Sequence, residues 1–185
     1  MSNKLDISRI ISHHNSTIQD SEGVPLAWDY FILYLLPILL VLLWVSSGAE
    51  LSNNLATIIV TAASIFSGLM LNLLVLVNEK RAKITNPSTD DPRFERKYNE
   101  IKAIEETYYN ISFTILTSIT SVFLCILFIA MKGITIDQIE LNIVLSALTK
   151  LIGAALLSVT LTTIGMLLMI LKRSFSLFTD ISSSD

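Results

Sequence analysis

Residues 56–77 read ATIIVTAASIFSGLMLNLLVLV, and residues 78–102 read NEKRAKITNPSTDDPRFERKYNEIK. The first stretch carries no charged side chain. The second holds Lys80, Arg81, Lys83, Arg93, Arg96, Lys97 and Lys102, seven of the 13 Lys and Arg residues in the chain. About 20 apolar residues coiled as a helix cross a bilayer core of about 30 Å. A surface helix of a soluble domain keeps a charged face, and this run has none. The abrupt change of composition at residue 78 marks where the chain leaves hydrocarbon for water.

Three further runs repeat the pattern: WDYFILYLLPILLVLLWV (28–45), ISFTILTSITSVFLCILFIAM (111–131) and LIGAALLSVTLTTIGMLLMIL (151–171). Only Asp29, at the edge of the first, is charged. Over all 185 residues the chain is 52% hydrophobic and 16% charged, with a mean hydropathy of +0.63; soluble domains hold about 25% charged residues. The fold class expected is all-α and integral to a membrane, with four transmembrane helices at 28–45, 56–77, 111–131 and 151–171. These lie within a domain spanning 28–173, between a cytoplasmic amphipathic segment, 1–27, and a short tail, 174–185. The first run is expected to stay as a span and not to be removed as a signal peptide. A segment of 27 residues precedes it, and its apolar stretch exceeds the usual length of about 7–15. The single Cys125 excludes an internal disulfide.

Orientation follows from the basic residues, which favour the cytoplasmic side of short loops. Lys4 and Arg9 precede the first run, seven bases fill the 78–110 loop, and Lys172 and Arg173 follow the last run. Lys132 and Lys150 alone fall on the other side. Both termini and the long loop are therefore expected in the cytoplasm. Trp28 and Trp44 would each reach one interfacial belt, and Pro37, midway between them, would free a carbonyl that needs another partner. Lys150 would sit at the outer boundary and snorkel to it.

Between the spans the sequence has more to say. The 78–110 loop reads as a helical hairpin extending the second and third helices. NPSTDDP forms the turn, Asp91–Pro92 starts the return helix, and that helix would run unbroken from 92 to 131. Phe94, Ile101 and Tyr108, with Ile104 and Ile111, recur at heptad spacing and would let the two arms, or two subunits, pack side by side. Acids are interleaved, so the arms suit a solvated, ion-paired surface. The sharper alternative is a basic collar for phosphates, built from Lys80, Arg81, Lys83, Arg93, Arg96 and Lys97 with the two groups at comparable height. At the N-terminus Ile7, Ile10, Ile11, His14 and Ile18 share one helical stripe, suiting a surface-lying or partner-packing helix. Adjacent His13 and His14 point to different faces and make a poor chelate, so no metal site is expected. ITIDQIELNIVLSALTK (134–150) suits either an interfacial helix or an extension of the fourth span, and SLFTDISSSD reads as a loose end.

No metal-ligand cluster, nucleophile–base pair or phosphate loop stands out, and no Asp, Glu or His falls in mid-membrane. An enzyme and a proton-driven carrier are disfavoured, and no cofactor is implied. Uncharged polar stripes remain. Thr57, Thr61, Ser64, Gly68 and Asn72 line one face of the second helix; Thr114, Ser118, Ser121 and Cys125 the third; Ala154, Ser158, Thr162 and Gly165 the fourth. Such stripes serve close helix packing or a water path. The candidate pore-lining residues are Thr57, Thr61, Ser64 and Asn72, and a pore of useful width requires a homo-oligomer.

This layout, with SRIISHHNSTIQD before the first span and KRAKITNPSTDDPRFERK between the second and third, resembles the small membrane effectors of bacterial anti-phage defence, the channel-forming Hailong effector among them. The resemblance implies a tetramer in the inner membrane, regulated by a short oligodeoxyadenylate that a partner synthase makes. The basic positions named above would then be its phosphate contacts. A non-conducting scaffold or immunity protein, and a holin-like lesion former, are the competing expectations.

Overall fold

A computed structural model describes residues 7–18, 27–83, 94–134 and 139–182. The described chain is all-helical, without strands. Helix α1 spans Ile7–Ser16, α2 Ala27–Ser46, α3 Asn53–Lys83, α4 Phe94–Lys132 and α5 Ile139–Ser182. The last four are long and apolar enough to cross a membrane. Each of them exposes large apolar side chains: Leu43, Ile58, Leu76, Ile126 and Leu168 are each more than half exposed. So extensive an apolar exterior belongs in lipid, because in water it would drive aggregation.

Pro37 shapes the first span. It has no N–H to offer the carbonyl of Leu33, four residues back. The helix responds one turn earlier with a π turn over Phe31–Leu35, in which the Leu36 N–H bonds to the Phe31 carbonyl. The freed Leu33 carbonyl accepts from Thr162 Oγ1 of α5 at 3.2 Å, and Leu33 and Thr162 are both buried. The expected second partner for that carbonyl is thus a hydroxyl on the polar stripe of the last span. Gly165, one turn along α5, makes the approach possible, since a Cβ there would lie 3.2 Å from Leu33 Cδ2. At its other end α2 stops in SSG. Ser46 and Ser47 hydroxyls bond back to the Leu43 and Trp44 carbonyls, and Gly48 takes the left-handed φ of 74° that ends many helices.

Helix α4 packs against α1, α3 and α5, while α2 packs on α5. Three apolar clusters bind them. One joins Ile18, Leu33, Phe113 and Met166, hence α1's end, α2, α4 and α5. A second sets Ile111, Ile115 and Ile170 against Met70, Leu73, Leu74 and Val77 of α3. The third, around Ala56, Cys125, Phe128 and Leu156, closes the opposite end. There the Cys125 thiol reaches the Ala56 carbonyl at 3.0 Å.

Helix ends bear on three expectations. Helix α4 runs without a break from Phe94 to Lys132, 39 residues or about 58 Å; the turn NPSTDDP and the Asp91–Pro92 start lie outside the described residues. Residues 139–150 extend the last span, which excludes a separate interfacial helix for them. The tail was expected to be loose from residue 176, yet α5 continues to Ser182. No Gly or Pro interrupts 166–182, and adding a residue to an existing helix avoids the cost of nucleation.

Replacing Thr162 with Val removes the donor to Leu33 and should destabilise the folded protein by about 1 kcal/mol in mixed-micelle unfolding. Pro37→Ala returns an N–H to the same carbonyl. The Thr162→Val loss should then shrink markedly in the Pro37→Ala background, whereas equal losses in both backgrounds would show that the bond contributes nothing.

Candidate functional site

The three polar stripes have different surroundings. On α4, Thr114, Ser118 and Cys125 are fully buried and Ser121 nearly so. On α5, Thr162 is buried while Ala154, Ser158 and Gly165 are partly covered. On α3 every member of the stripe, Thr57, Thr61, Ser64, Gly68 and Asn72, is exposed. A Cβ at Gly68 would meet nothing within 4 Å. The reason is geometric. Helix α3 turns Ala56, Ile59 and Ala63 toward α4, which leaves the polar arc on its outer side. Thr57, Thr61 and Ser64 donate to the carbonyls of Asn53, Thr57 and Val60 at 2.7–2.9 Å. Their protons are satisfied locally and their oxygens remain able to accept. The Asn72 amide has no such route.

The basic residues divide differently. Lys80 and Arg81 are exposed in the last turns of α3, and Lys83 ends that helix. Arg81 Nη2 donates to Glu105 Oε1 at 2.6 Å, and its guanidinium lies 5.7 Å from the Tyr108 ring centroid. Both members of the pair are about two-fifths exposed, so the contact sets register more than it stabilises. Arg96 and Lys97 belong to the first turn of α4, eight or nine residues before Glu105. At 1.5 Å per residue they stand about 12 Å beyond the Arg81 level. Arg93, the remaining basic residue of that group, lies outside the described residues. Ile104 and Ile111 of the heptad seam are buried, and Ile101 and Tyr108 are partly so.

A polar cluster that the sequence did not single out lies under α1. His14 Nδ1 is 2.7 Å from Asn110 Oδ1, and Thr17 Oγ1 is 2.8 Å from the same oxygen. Both His14 and Asn110 are fully buried. The two adjacent histidines stack on rings one turn apart, His13 on Tyr109 at 4.5 Å and His14 on Phe113 at 4.1 Å. From α2, the Tyr30 and Tyr34 hydroxyls reach the Asn15 carbonyl and side-chain oxygens at 3.4 Å. Helix α1 is therefore a partner-packing helix whose partner is its own chain. One signal could have revealed the cluster: Asn110 stands four residues before Thr114 and so continues the α4 stripe. No family model, curated protein or solved structure matches this chain.

Asn110→Leu removes the acceptor shared by His14 and Thr17 while leaving both where the stripe buries them. Such a loss costs about 1–3 kcal/mol. Hydrogen exchange should quicken across residues 7–18 and stay unchanged in mid-α5; unaltered protection of α1 would show that its docking does not depend on this amide.

Proposed function

We propose that the chain is a homo-oligomeric membrane channel, lined by the outer stripe of α3 and gated from the side that bears the basic loop. The observation that carries this reading is the exposure of Thr57, Thr61, Ser64, Gly68 and Asn72 on a helix whose other exposed side chains between residues 55 and 77 are apolar. Exposing an amide such as Asn72 to hydrocarbon is costly. A second copy, or water held between copies, removes that cost. Four helices of one chain enclose no wide path, so the pore requires several chains, and a tetramer is the smallest assembly that the resemblance to anti-phage effectors suggests.

The positive-inside rule then orients the channel in a bacterial inner membrane, with both termini and the hairpin of α3 and α4 in the cytoplasm. Its chemistry is permeation, not catalysis. The ligand class that suits Lys80, Arg81, Lys83, Arg93, Arg96 and Lys97 is a polyanion such as a short DNA oligomer supplied by a partner synthase. A ligand shifts a gate only by binding the open and closed states unequally. Helix α4 supplies a route for that difference, being continuous from the hairpin through the span. The α1 contact would move with it. Asn110 Nδ2, buried there, lacks a partner among the described residues, and a partly satisfied polar contact opens more cheaply than a complete one.

A non-conducting scaffold is the competing reading, favoured by the hydroxyls that bond back to their own helix, since these suit close packing equally well. Planar-bilayer recording separates the two. Purified protein should pass current, and an oligodeoxyadenylate added on the basic-loop side should change its open probability. Joint replacement of Arg93, Arg96 and Lys97 by Gln should weaken that effect and flatten its salt dependence. Silence with and without the oligonucleotide would favour the scaffold.

A further inference from the structure

At the end of the bundle opposite the basic loop, the helix termini do not close completely. A cleft of about 210 Å³ opens between the α2–α3 connection, the end of α4 and the start of α5. Trp44, Leu51 and Phe128 form apolar parts of its wall, and Glu50, Lys132 and Lys150 are its charged groups. It is smaller than the pockets of about 300–1,000 Å³ that enclose drug-sized molecules. A headgroup fits the space; a whole amphiphile does not.

The two lysines are the only cations on this side of the sequence's spans. Lys132 Nζ donates to the Leu51 carbonyl at 2.8 Å and lies 5.5 Å from the Phe128 ring centroid. An ammonium has three donors. The Leu51 carbonyl takes one and carries no formal charge, so among the described residues the positive charge of Lys132 is held in place but not neutralised. Lys150 faces Glu50 at 3.5 Å, with about three-fifths of each side chain exposed. That separation is well beyond the 2.7–2.9 Å of a strong charge-assisted bond, and Lys150 keeps donors for a second anion. Apolar side chains stand exposed on the helices that border the cleft: Leu43, Val45, Leu148 and Leu151. Acyl chains can lie along these while a phosphate enters between the ammonium groups. Trp44, with its amphipathic ring, marks the same level of the membrane.

We infer that this cleft is a binding site for the phosphate headgroup of an anionic membrane lipid, gripped by Lys132 and Lys150 with its chains against the apolar exterior. The inference stands independently of channel activity. It requires only that the four apolar helices span a bilayer.

Trp44 supplies the reporter. Trp28→Phe leaves it as the only tryptophan, because the chain has two. The Trp28→Phe protein is placed in vesicles of phosphatidylcholine with a rising fraction of brominated phosphatidylglycerol, and quenching is compared with the bulk lipid fraction. The site should prefer phosphatidylglycerol by about fivefold or more, the factor that one interfacial lysine can supply. Lys150→Gln is exposed and spares the fold, and it should lower that preference severalfold. Lys132→Gln should do the same, and Lys132→Arg should retain it. Inorganic phosphate, against chloride at equal ionic strength, should leave the preference unchanged. Quenching no greater than the bulk phosphatidylglycerol fraction predicts, or a preference untouched by Lys150→Gln and Lys132→Gln, would overturn the assignment. Loss of the preference on adding phosphate would overturn it too, by showing a site for the free anion.

Discussion

Inside a bilayer, lipid competes with protein for every apolar side chain, so helices associate only where they approach closely. In this chain that surface is one stripe of α4: Thr107, Asn110, Thr114, Ser118, Ser121 and Cys125, all buried. Most of its hydroxyls are satisfied without leaving the helix. Thr107, Thr114 and Ser121 donate to the carbonyls of Ala103, Asn110 and Thr117 at 2.7–3.0 Å. They thus present little volume and no unsatisfied proton to their neighbours. Helices α3 and α5 pack beside α4, and α1 lies over its Asn110 end. Helix α2 is attached mainly through α5, and Thr162 and Leu33 form the hydrogen bond of that attachment.

The exposed α3 stripe takes its meaning from the same principle. A polar face is tolerated in lipid when something covers it, and this chain covers the α4 face fully and the α5 face in part, leaving the α3 face open. Of the most apolar window in α3, 11% is buried within the chain, against 33% for α4. The helix with the least internal cover therefore carries the polar arc. Assembly around that arc would put α3 at a centre and leave α2 at the periphery, where its exposed Leu39, Leu40, Leu42 and Leu43 suit lipid.

Much of the architecture was legible in composition. Uncharged runs of about 20 residues have few physical outcomes, and Pro37 announced a carbonyl in need of a donor. Less legible was what each face would meet. The α3 and α4 stripes are alike in residue type and spacing, yet one is buried and the other exposed, because periodicity says which residues share a face and not what lies opposite. The Arg81–Glu105 register was hidden for the same reason, since it depends on how two helices slide past each other. His14 was read as one member of an apolar stripe, and only its pairing with Asn110, 96 residues away, reveals its role. Helix ends overran their composition boundaries: α5 continues to Ser182 although hydrophobicity stops at Leu171.

The central claim is that the α3 stripe faces water within an assembly. Single cysteines, in a Cys125→Ala background, can be placed along α3 of the protein in vesicles and treated with a membrane-impermeant thiol reagent. The account predicts reaction at Thr61→Cys, Ser64→Cys and Asn72→Cys, and none at Ile58→Cys or Leu69→Cys, exposed positions off the stripe. Stripe positions no more reactive than the apolar ones would contradict it, because the polar arc would then be sealed against protein or hydrocarbon and no water path would run along α3.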